Sequence, residues 1–447
     1  MSARDLDILF GGRGVDHSGM GVSPQLDGSL IVWNTESTTS VVHAFPTGEI
    51  RPVRRGPYGA MRSDGDGVIF RAYDGASAVG TGDPVLFSFE TFSVASGERI
   101  AIADAFPLPS VCNGVGPHSP QISNGRFLSI RGTCVIGDMR YIVERWEDHD
   151  GVLEVVAGPY DMDDPMASAT LNRSTFADGR GGLFMLGIPR TREPERVDRR
   201  VVVTHWNGDD APARSEQLGP TGATTDFGRG VIYGDGTFGV AANYEIDGEL
   251  TTLVARVDRD ARILWTWQSP PGFTAGPNHP AIATVGIHDL IVVLVRPREL
   301  RTVYVMRLDP LGRQRWSEPR ALPWPGRTDI ELTLVVGHPS GTFHVAWFPG
   351  SLGWFDAEAA PLWEEPIPRW ESDFSRAQLF ADGDEGVWFT DTGFMGGALG
   401  HWDRNQWSLF RRWGYDGCGQ RRGIVTRAGP DAEARTWWGP FPFGNAP

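Results

Sequence analysis

The sequence predicts an all-β protein, a β-propeller of eight four-stranded blades with seven as the fallback count. Three observations carry this. First, a turn marker recurs at intervals of roughly fifty residues, the period of a propeller blade. Asp258, Asp309, Asp356 and Asp403 lie 51, 47 and 47 positions apart, and each is followed seven residues later by Trp265, Trp316, Trp363 or Phe410. Second, the stretch around each marker divides into four short apolar runs. Third, 57 Gly and 33 Pro in 447 residues suit many short elements joined by tight turns rather than long helices.

The markers continue upstream in weaker form. Asn207 precedes Asp258 by 51 positions and Glu147 precedes Asn207 by 60, while Gly97 and Gly48 match the place of Gly312. That makes eight units. Unit six reads as PAIATVGI, LIVVLV, RTVYVMRL and RQRWSEP, the last two joined by Asp309-Pro310-Leu311-Gly312, a turn sequence. Unit seven reads as ELTLVV, GTFHVAWF, LGWFD and APLWEE. A single such unit cannot bury both its faces, so it must stack on its neighbours. The recurrent tryptophans, including Trp146, Trp206 and Trp402 just before their markers, are expected to pack between blades. The whole chain, 1–447, reads as one domain with repeats over about 18–412. Residues 1–17 and 413–447 lie outside the units, and 413–447 is expected to pack on the body or pair with an open blade edge.

The D-x-x-G-x-x-x-W turn, seen whole from Asp309 to Trp316, resembles the PQQ-like repeat of eight-bladed propellers. These occur in quinoprotein alcohol dehydrogenases and in the lipoprotein scaffold of outer-membrane protein assembly. The resemblance implies the fold over most of the chain. The dehydrogenases carry adjacent cysteines beside their quinone, whereas Cys112, Cys134 and Cys418 are separate. The expectation is therefore the non-catalytic scaffold type, without PQQ.

Composition excludes several classes. All 41 basic residues are arginine, so Schiff-base, PLP and Walker-lysine chemistry have no residue to use. A net charge of -15 argues against nucleic acid as a partner. No apolar run is long enough for a transmembrane helix, and Met1–Asp5 does not begin a signal peptide. G-x-S-x-G and H-E-x-x-H do not occur. A monomer is expected.

In a propeller the innermost strand of each blade starts on the face that usually binds ligands. Aligning blades five to eight puts Asp226, His279, Asp329 and Asp373 at that entry, each followed nine positions later by a turn residue: Asp235, His288, His338 and Asp382. Three carboxylates and an imidazole around a channel mouth suit a divalent cation, calcium or another, or acid–base chemistry. The same Asp residues also suit capping of nearby backbone N–H groups. His118 is a less regular fifth member. Asp161, Asp163 and Asp164, in the loop entering blade four, read either as calcium ligands or as a solvated acidic loop. Cys112 and Cys134 fall on one face of blade three. A disulfide there would close about 20 residues, be worth about 3 kcal/mol, and place the protein in the periplasm or outside the cell; two separate thiols would leave it cytoplasmic. Arg190, Arg192, Arg196, Arg199 and Arg200 alternate with Glu193, Glu195 and Asp198, an anion site or a self-paired loop.

The leading expectation is a non-catalytic propeller, exported from a bacterium, that binds a small molecule, peptide or protein at its channel mouth. One alternative is a metal-assisted hydrolase or lyase using Asp226, His279, Asp329 and Asp373. A second is a carbohydrate-binding propeller, which requires exposed tryptophans on one face.

Overall fold

Runs such as LIVVLV are apolar at consecutive positions, the pattern of a strand buried on both faces. A ring of stacked sheets satisfies that pattern, and the computed structural model shows one. It describes residues 20–427 and 439–440 except 26, 35–38, 48, 57–58, 75–85, 104–105, 108–119, 136–137, 162–173, 188–199, 210–212, 220–223, 247, 277–280, 298, 324–331, 349–350, 367–376, 392–395, 405 and 416–420.

All regular structure among the described residues is strand, in eight blades. Blade one is β1 (Met20–Pro24), β2 (Leu30–Asn34), β3 (Thr39–Ala44) and β4 (Ile50–Gly56). Blade two is β5 (Gly59–Ser63), β6 (Val68–Asp74), β7 (Leu86–Ser93) and β8 (Arg99–Ile102), with β9 (Phe106–Pro107) also pairing with β7. Blade three is β10 (Pro120–Ser123), β11 (Arg126–Val135), β12 (Asp138–His149) and β13 (Val152–Asp161). Blade four is β14 (Ser174–Ala177), β15 (Leu183–Gly187), β16 (Val201–Trp206) and β17 (Arg214–Leu218). Blade five is β18 (Thr224–Ile232), β19 (Phe238–Ile246), β20 (Glu249–Val257) and β21 (Ile263–Gln268). Blade six is β22 (Ile282–Val285), β23 (Asp289–Arg296), β24 (Glu299–Leu308) and β25 (Arg320–Ala321). Blade seven is β26 (Leu332–Gly337), β27 (Phe343–Phe348), β28 (Ser351–Phe355) and β29 (Pro361–Pro366). Blade eight is β30 (Gln378–Ala381), β31 (Val387–Asp391), β32 (Gly396–Asp403) and β33 (Gln406–Tyr415), widened at its outer edge by β34 (Arg421–Arg427) and β35 (Gly439–Pro440).

Within each blade the four strands pair antiparallel in chain order. Blades two and three also touch at their outer edges, where Val152 of β13 pairs in parallel with Ile102 of β8. The tail expectation is met in part: β34 pairs with β33 and covers the edge of the last blade.

Apolar clusters fill all eight seams of the ring. Alternate residues of one strand serve two seams, as side-chain alternation requires. On β19, Phe238, Val240 and Ala242 pack toward blade four, while Ala241 packs toward blade six. On β27, Phe343, Val345 and Trp347 join the blade-six cluster and Ala346 joins the blade-eight cluster. The seam between blades eight and one holds Val22, Leu30, Val32, Val42, Ala44, Phe380, Trp388 and Leu399. There the backbones come close. Gly28 has φ +80°, and a Cβ on it would lie 2.4 Å from the Asp382 carbonyl oxygen, so only glycine fits. Trp388 Nε1 donates to the Gly28 carbonyl at 2.7 Å.

Two local expectations are corrected. The fourth strand of blade six is not RQRWSEP. Gln314 makes only an isolated bridge to Leu308, and the paired strand is Arg320–Ala321. Trp316 explains the displacement: it turns inward, buried in the seam, and the chain around it cannot run straight beside β24. In blade three, Glu147 is not at the turn. β12 runs on to His149, and the hairpin turns at Asp150 and Gly151, with φ 54° and 87°, the two positive angles of a two-residue type I′ loop.

Candidate functional site

An Asp that opens a tight turn can accept backbone N–H groups with one oxygen and leave the other for a distant partner. Asp258, Asp309 and Asp356 use Oδ1 in this way, each accepting the N–H groups two and four residues on at 2.8–2.9 Å. The first hairpins of blades four and eight repeat the device in full, Asp178 and Asp382 accepting the N–H groups two and four residues on. Of the turn N–H groups Asp235 accepts only that of Thr237, and Asp289 takes Arg315 instead. In all four an oxygen meets the third strand. His205 Nε2 donates to Asp178 Oδ2 at 3.0 Å, and His401 Nε2 to Asp382 Oδ2 at 2.8 Å. Arg256 Nη2 donates to Asp235 at 2.6 Å, and Arg307 Nε to Asp289 at 2.8 Å. In blade one, His43 Nε2 meets Ser29 Oγ, which donates to Asp27.

These five basic residues occupy one repeat position, two residues before Phe45, Asn207, Asp258, Asp309 and Asp403. Arg145 holds it in blade three and reaches Asp209 of the next blade at 3.2 Å. Blade two has Thr91 at the position, accepting the Ala101 N–H, and blade seven breaks the pattern as well. Trp354 stands there, and His338 from the first turn pairs instead with His344 of β27, Nε2 to Nδ1 at 2.8 Å. The sequence reading missed this position, although H-W-N, R-V-D, R-L-D and H-W-D at the markers display it. The signal was a polar residue inside an apolar strand, repeated at the marker period.

The electrostatics follow from burial. Burial pushes the Asp178 carboxyl up, but the His205 bond and charge and the N–H groups of Arg180 and Gly182 outweigh it and hold the group below the usual range. The same balance, with His401, Asp384 and Gly386, lowers Asp382. His338 has no such carboxylate bond. Burial pushes it down to about 4 against the opposing charges of Asp382 and Glu385. Burial, then the neighbouring His338, takes His344 well below its ordinary value too.

A second polar chain links the innermost strands of blades one to four. Ser63 N–H donates to Ser23 Oγ at 3.3 Å and Ser63 Oγ to Gln25 Oε1 at 3.0 Å. Arg62 Nη2 donates to Gln121 Oε1 at 3.2 Å, and Gln121 Nε2 to Thr175 Oγ1 at 3.0 Å. On the other side of the ring, Thr333 Oγ1, Gln378 Oε1 and Thr390 Oγ1 are buried without a partner.

The expected channel-mouth residues fall as follows. Asp226 lies on β18, opposite Asn243, with register shifts on either side of it. His279, Asp329, Asp373 and His118 lie outside the described residues, as do Asp163, Asp164, Cys112, Cys418, Arg190, Arg192, Arg196 and Arg199. Asp161 ends β13, and Cys134 sits on β11 opposite Met139. Among the described residues no three His, Cys, Asp or Glu side chains are grouped to hold a metal. The four turn residues expected nine positions on are all on the opposite, hairpin-turn face; Asp235 and Asp382 belong to the latches there, and His338 to the histidine pair. Of the tryptophans whose burial is described, none is exposed: eight are buried and Trp265, Trp354 and Trp363 are half-buried, as packing between blades requires.

No family model matches the chain, and no curated protein matches it. Solved structures that resemble it include a quinohemoprotein alcohol dehydrogenase from Pseudomonas putida HK5, at 11% identity over 85% of this chain and 71% of that one, with a TM-score of 0.45. BamB from Moraxella catarrhalis is 10% identical over 83% of this chain and 93% of its own, with a TM-score of 0.42. Apo AztD from Citrobacter koseri is 12% identical over 83% and 91%, with a TM-score of 0.41. These likenesses are of overall shape. The strand pairing itself makes this chain a β-propeller, with eight blades closed into a ring.

Proposed function

We propose that this chain is a non-catalytic binding propeller of the PQQ-like type, taking a small molecule, peptide or protein at the channel mouth on the face where the innermost strands begin. The observation that supports this is the contrast between the two faces. The hairpin-turn face is made of short turns whose carboxylates are engaged by backbone N–H groups, by His or Arg of the same repeat, or by both. The segments that join one blade to the next reach the innermost strands on the other face, and several are long: twelve residues separate β13 from β14, thirteen β21 from β22, and ten β25 from β26. Long connections held on a rigid scaffold are where binding residues concentrate. A latch repeated blade after blade is architecture, whereas a catalytic group stands at one place in the ring.

The experiment is a thermal-shift and pulldown screen of the purified chain, paired with elemental analysis. A ligand or partner whose binding is lost on changing Asp226, Asp329 or Asp373 supports the reading. A stoichiometric metal that Asp329→Ala removes without unfolding the protein would replace it with the metal-assisted hydrolase or lyase. Neither a ligand nor a partner across the screen would count against binding at this face.

A further inference from the structure

Each blade ends in an outer strand whose far edge offers N–H and C=O groups to any extended chain that meets it, and natural edges are blunted by charge or proline. Seven blades follow that rule. β4 reads IRPVRRG, β8 RIAI, β13 VLEVVAGPYD, β17 RSEQL, β25 RA and β29 PLWEEP, and blade eight is covered by the arginine-rich β34 and by β35. Blade five departs from it: β21, Ile263–Gln268, reads ILWTWQ, with neither a charge nor a proline.

That edge is open. Among the described residues no strand pairs with β21 on the side away from β20. Ser269 N–H donates to the Thr252 carbonyl and Asp258 N–H to the Arg262 carbonyl, both at 2.9 Å, so the even-numbered residues of β20 bond toward β21. Val254 stands opposite Trp267 and Arg256 opposite Trp265, which leaves the backbone N–H and C=O groups of Thr266 and Gln268 pointing outward. Trp265 and Trp267 turn into the seam with blade six. Leu264, Thr266 and Gln268 are exposed, Leu264 at 52%, and Ile263 at the start of the strand is 38% exposed. The Pro310 carbonyl accepts Trp265 Nε1 at 3.0 Å, and this brings Leu311, 62% exposed, to the blade-six side of the same edge.

We propose that β21 is a docking edge: an extended apolar segment of a partner protein, neutral or basic in charge, adds to blade five as a fifth strand. Main-chain pairing holds the segment, and its alternate side chains cover Leu264 on one face and Leu311 on the other. A second copy of this chain fits the edge poorly. Each ring carries a net charge of -15, so two rings repel; the same field disfavours an acidic segment. The rims of two rings are convex and would meet along one strand of six residues, about 20 Å long. That contact falls far short of the about 1,600 Å² that a stable pair of proteins buries. A lone extended segment follows the edge and lays side chains on both faces without bringing up a second convex rim. The site lies on the outer rim and uses no residue of the channel mouth.

The test is a displayed library of short random peptides selected against the full chain, followed by measurement of the selected peptides on two variants. Thr266→Pro deletes an outward N–H that β20 does not use, a place where an edge strand tolerates proline. Leu264→Lys sets a charge on the exposed face of the edge. The selected peptides should carry apolar residues at alternate positions and bind about tenfold more weakly to either variant. At about ten times their Kd they should slow hydrogen exchange of the outward β21 amides about tenfold, read by mass spectrometry. No selected peptide, or peptides indifferent to both variants, overturns the proposal. Peptides that lose affinity only when Asp226, Asp329 or Asp373 is changed also overturn it while supporting the channel mouth, so the two sites are judged apart. Self-association of the chain by light scattering that Leu264→Lys abolishes would put a second copy on the edge and overturn the partner segment. Should Thr266→Pro not fold, Leu264→Lys decides alone.

Discussion

Asp178→Ala removes the most heavily used carboxylate in the described structure. Its Oδ1 accepts Ser123 Oγ at 3.0 Å and the N–H groups of Arg180 and Gly182 at 2.7 and 2.8 Å; its Oδ2 accepts His205 Nε2 at 3.0 Å and Arg259 Nε at 3.2 Å. Ser123 and His205 are buried, and each donor stranded there costs about 1–3 kcal/mol. The two turn N–H groups together behave as a lost cap, about 1 kcal/mol. Arg259 is 38% exposed, finds water, and adds little. The expected loss is about 4 kcal/mol. Asp178→Asn keeps Oδ1 in place, and His205 can accept from the new amide by changing tautomer, so its loss should be about 1–2 kcal/mol. Asp258→Ala is the control: it loses only turn N–H groups on the surface, worth about 1 kcal/mol. Urea denaturation with an unchanged m-value reads all three. Asp178→Ala no worse than Asp258→Ala would refute the view that these pairs are structural latches.

Gly28→Ala should destabilise the ring, since φ +80° and the 2.4 Å approach to Asp382 both oppose a Cβ; a melting temperature equal to wild type would contradict the close seam. Stability should fall as pH drops from 6.5 toward 4, because the unfolded chain then binds protons that His338, held at about 4, refuses; the loss from this group is about 3 kcal/mol at pH 4, and His338→Gln should flatten the urea midpoint across that window. Asp178 and Asp382 act in a lower window: both carboxyls are lowered, so their stabilisation is present above the ordinary carboxylate value and lost below it. Trp402→Ala, at a site 0% exposed and packed on Trp363 at 4.2 Å, should cost about 3–5 kcal/mol in the same assay. Ending the chain after Tyr415 removes β34 and β35 and bares the edge of β33; concentration-dependent association by light scattering is expected.

The repeat was legible because a propeller writes its period into the chain. Asp258, Asp309 and Asp356 do the same turn work in three blades, and the apolar runs of blade seven became strands within two residues of their expected bounds. What the period could not locate was any feature set by a neighbour. The fourth strand of blade six moved because Trp316 packs inward. Glu147 fell inside a strand because blade three turns in two residues instead of five. The latch residues His205, Arg256, Arg307 and His401 were in view two positions before each marker, but their partners lie 18 to 27 residues away, in the first hairpin turn. Spacing along one strand does not reveal a bond between the first turn and the third strand.

By itself the sequence determined the class, the unit length, the turn chemistry and the removal of lysine from any channel chemistry. Those depend on local preferences and on periodicity, which are carried by adjacent residues. The tertiary structure alone decided that polar residues at one repeat position pair with turn carboxylates, that blades two and three share an outer-edge contact, and that among the described residues the ring closes by packing rather than by strand exchange. Each of these is a contact between segments distant along the chain, and its free energy comes from burial and pairing that exist only once the blades are stacked.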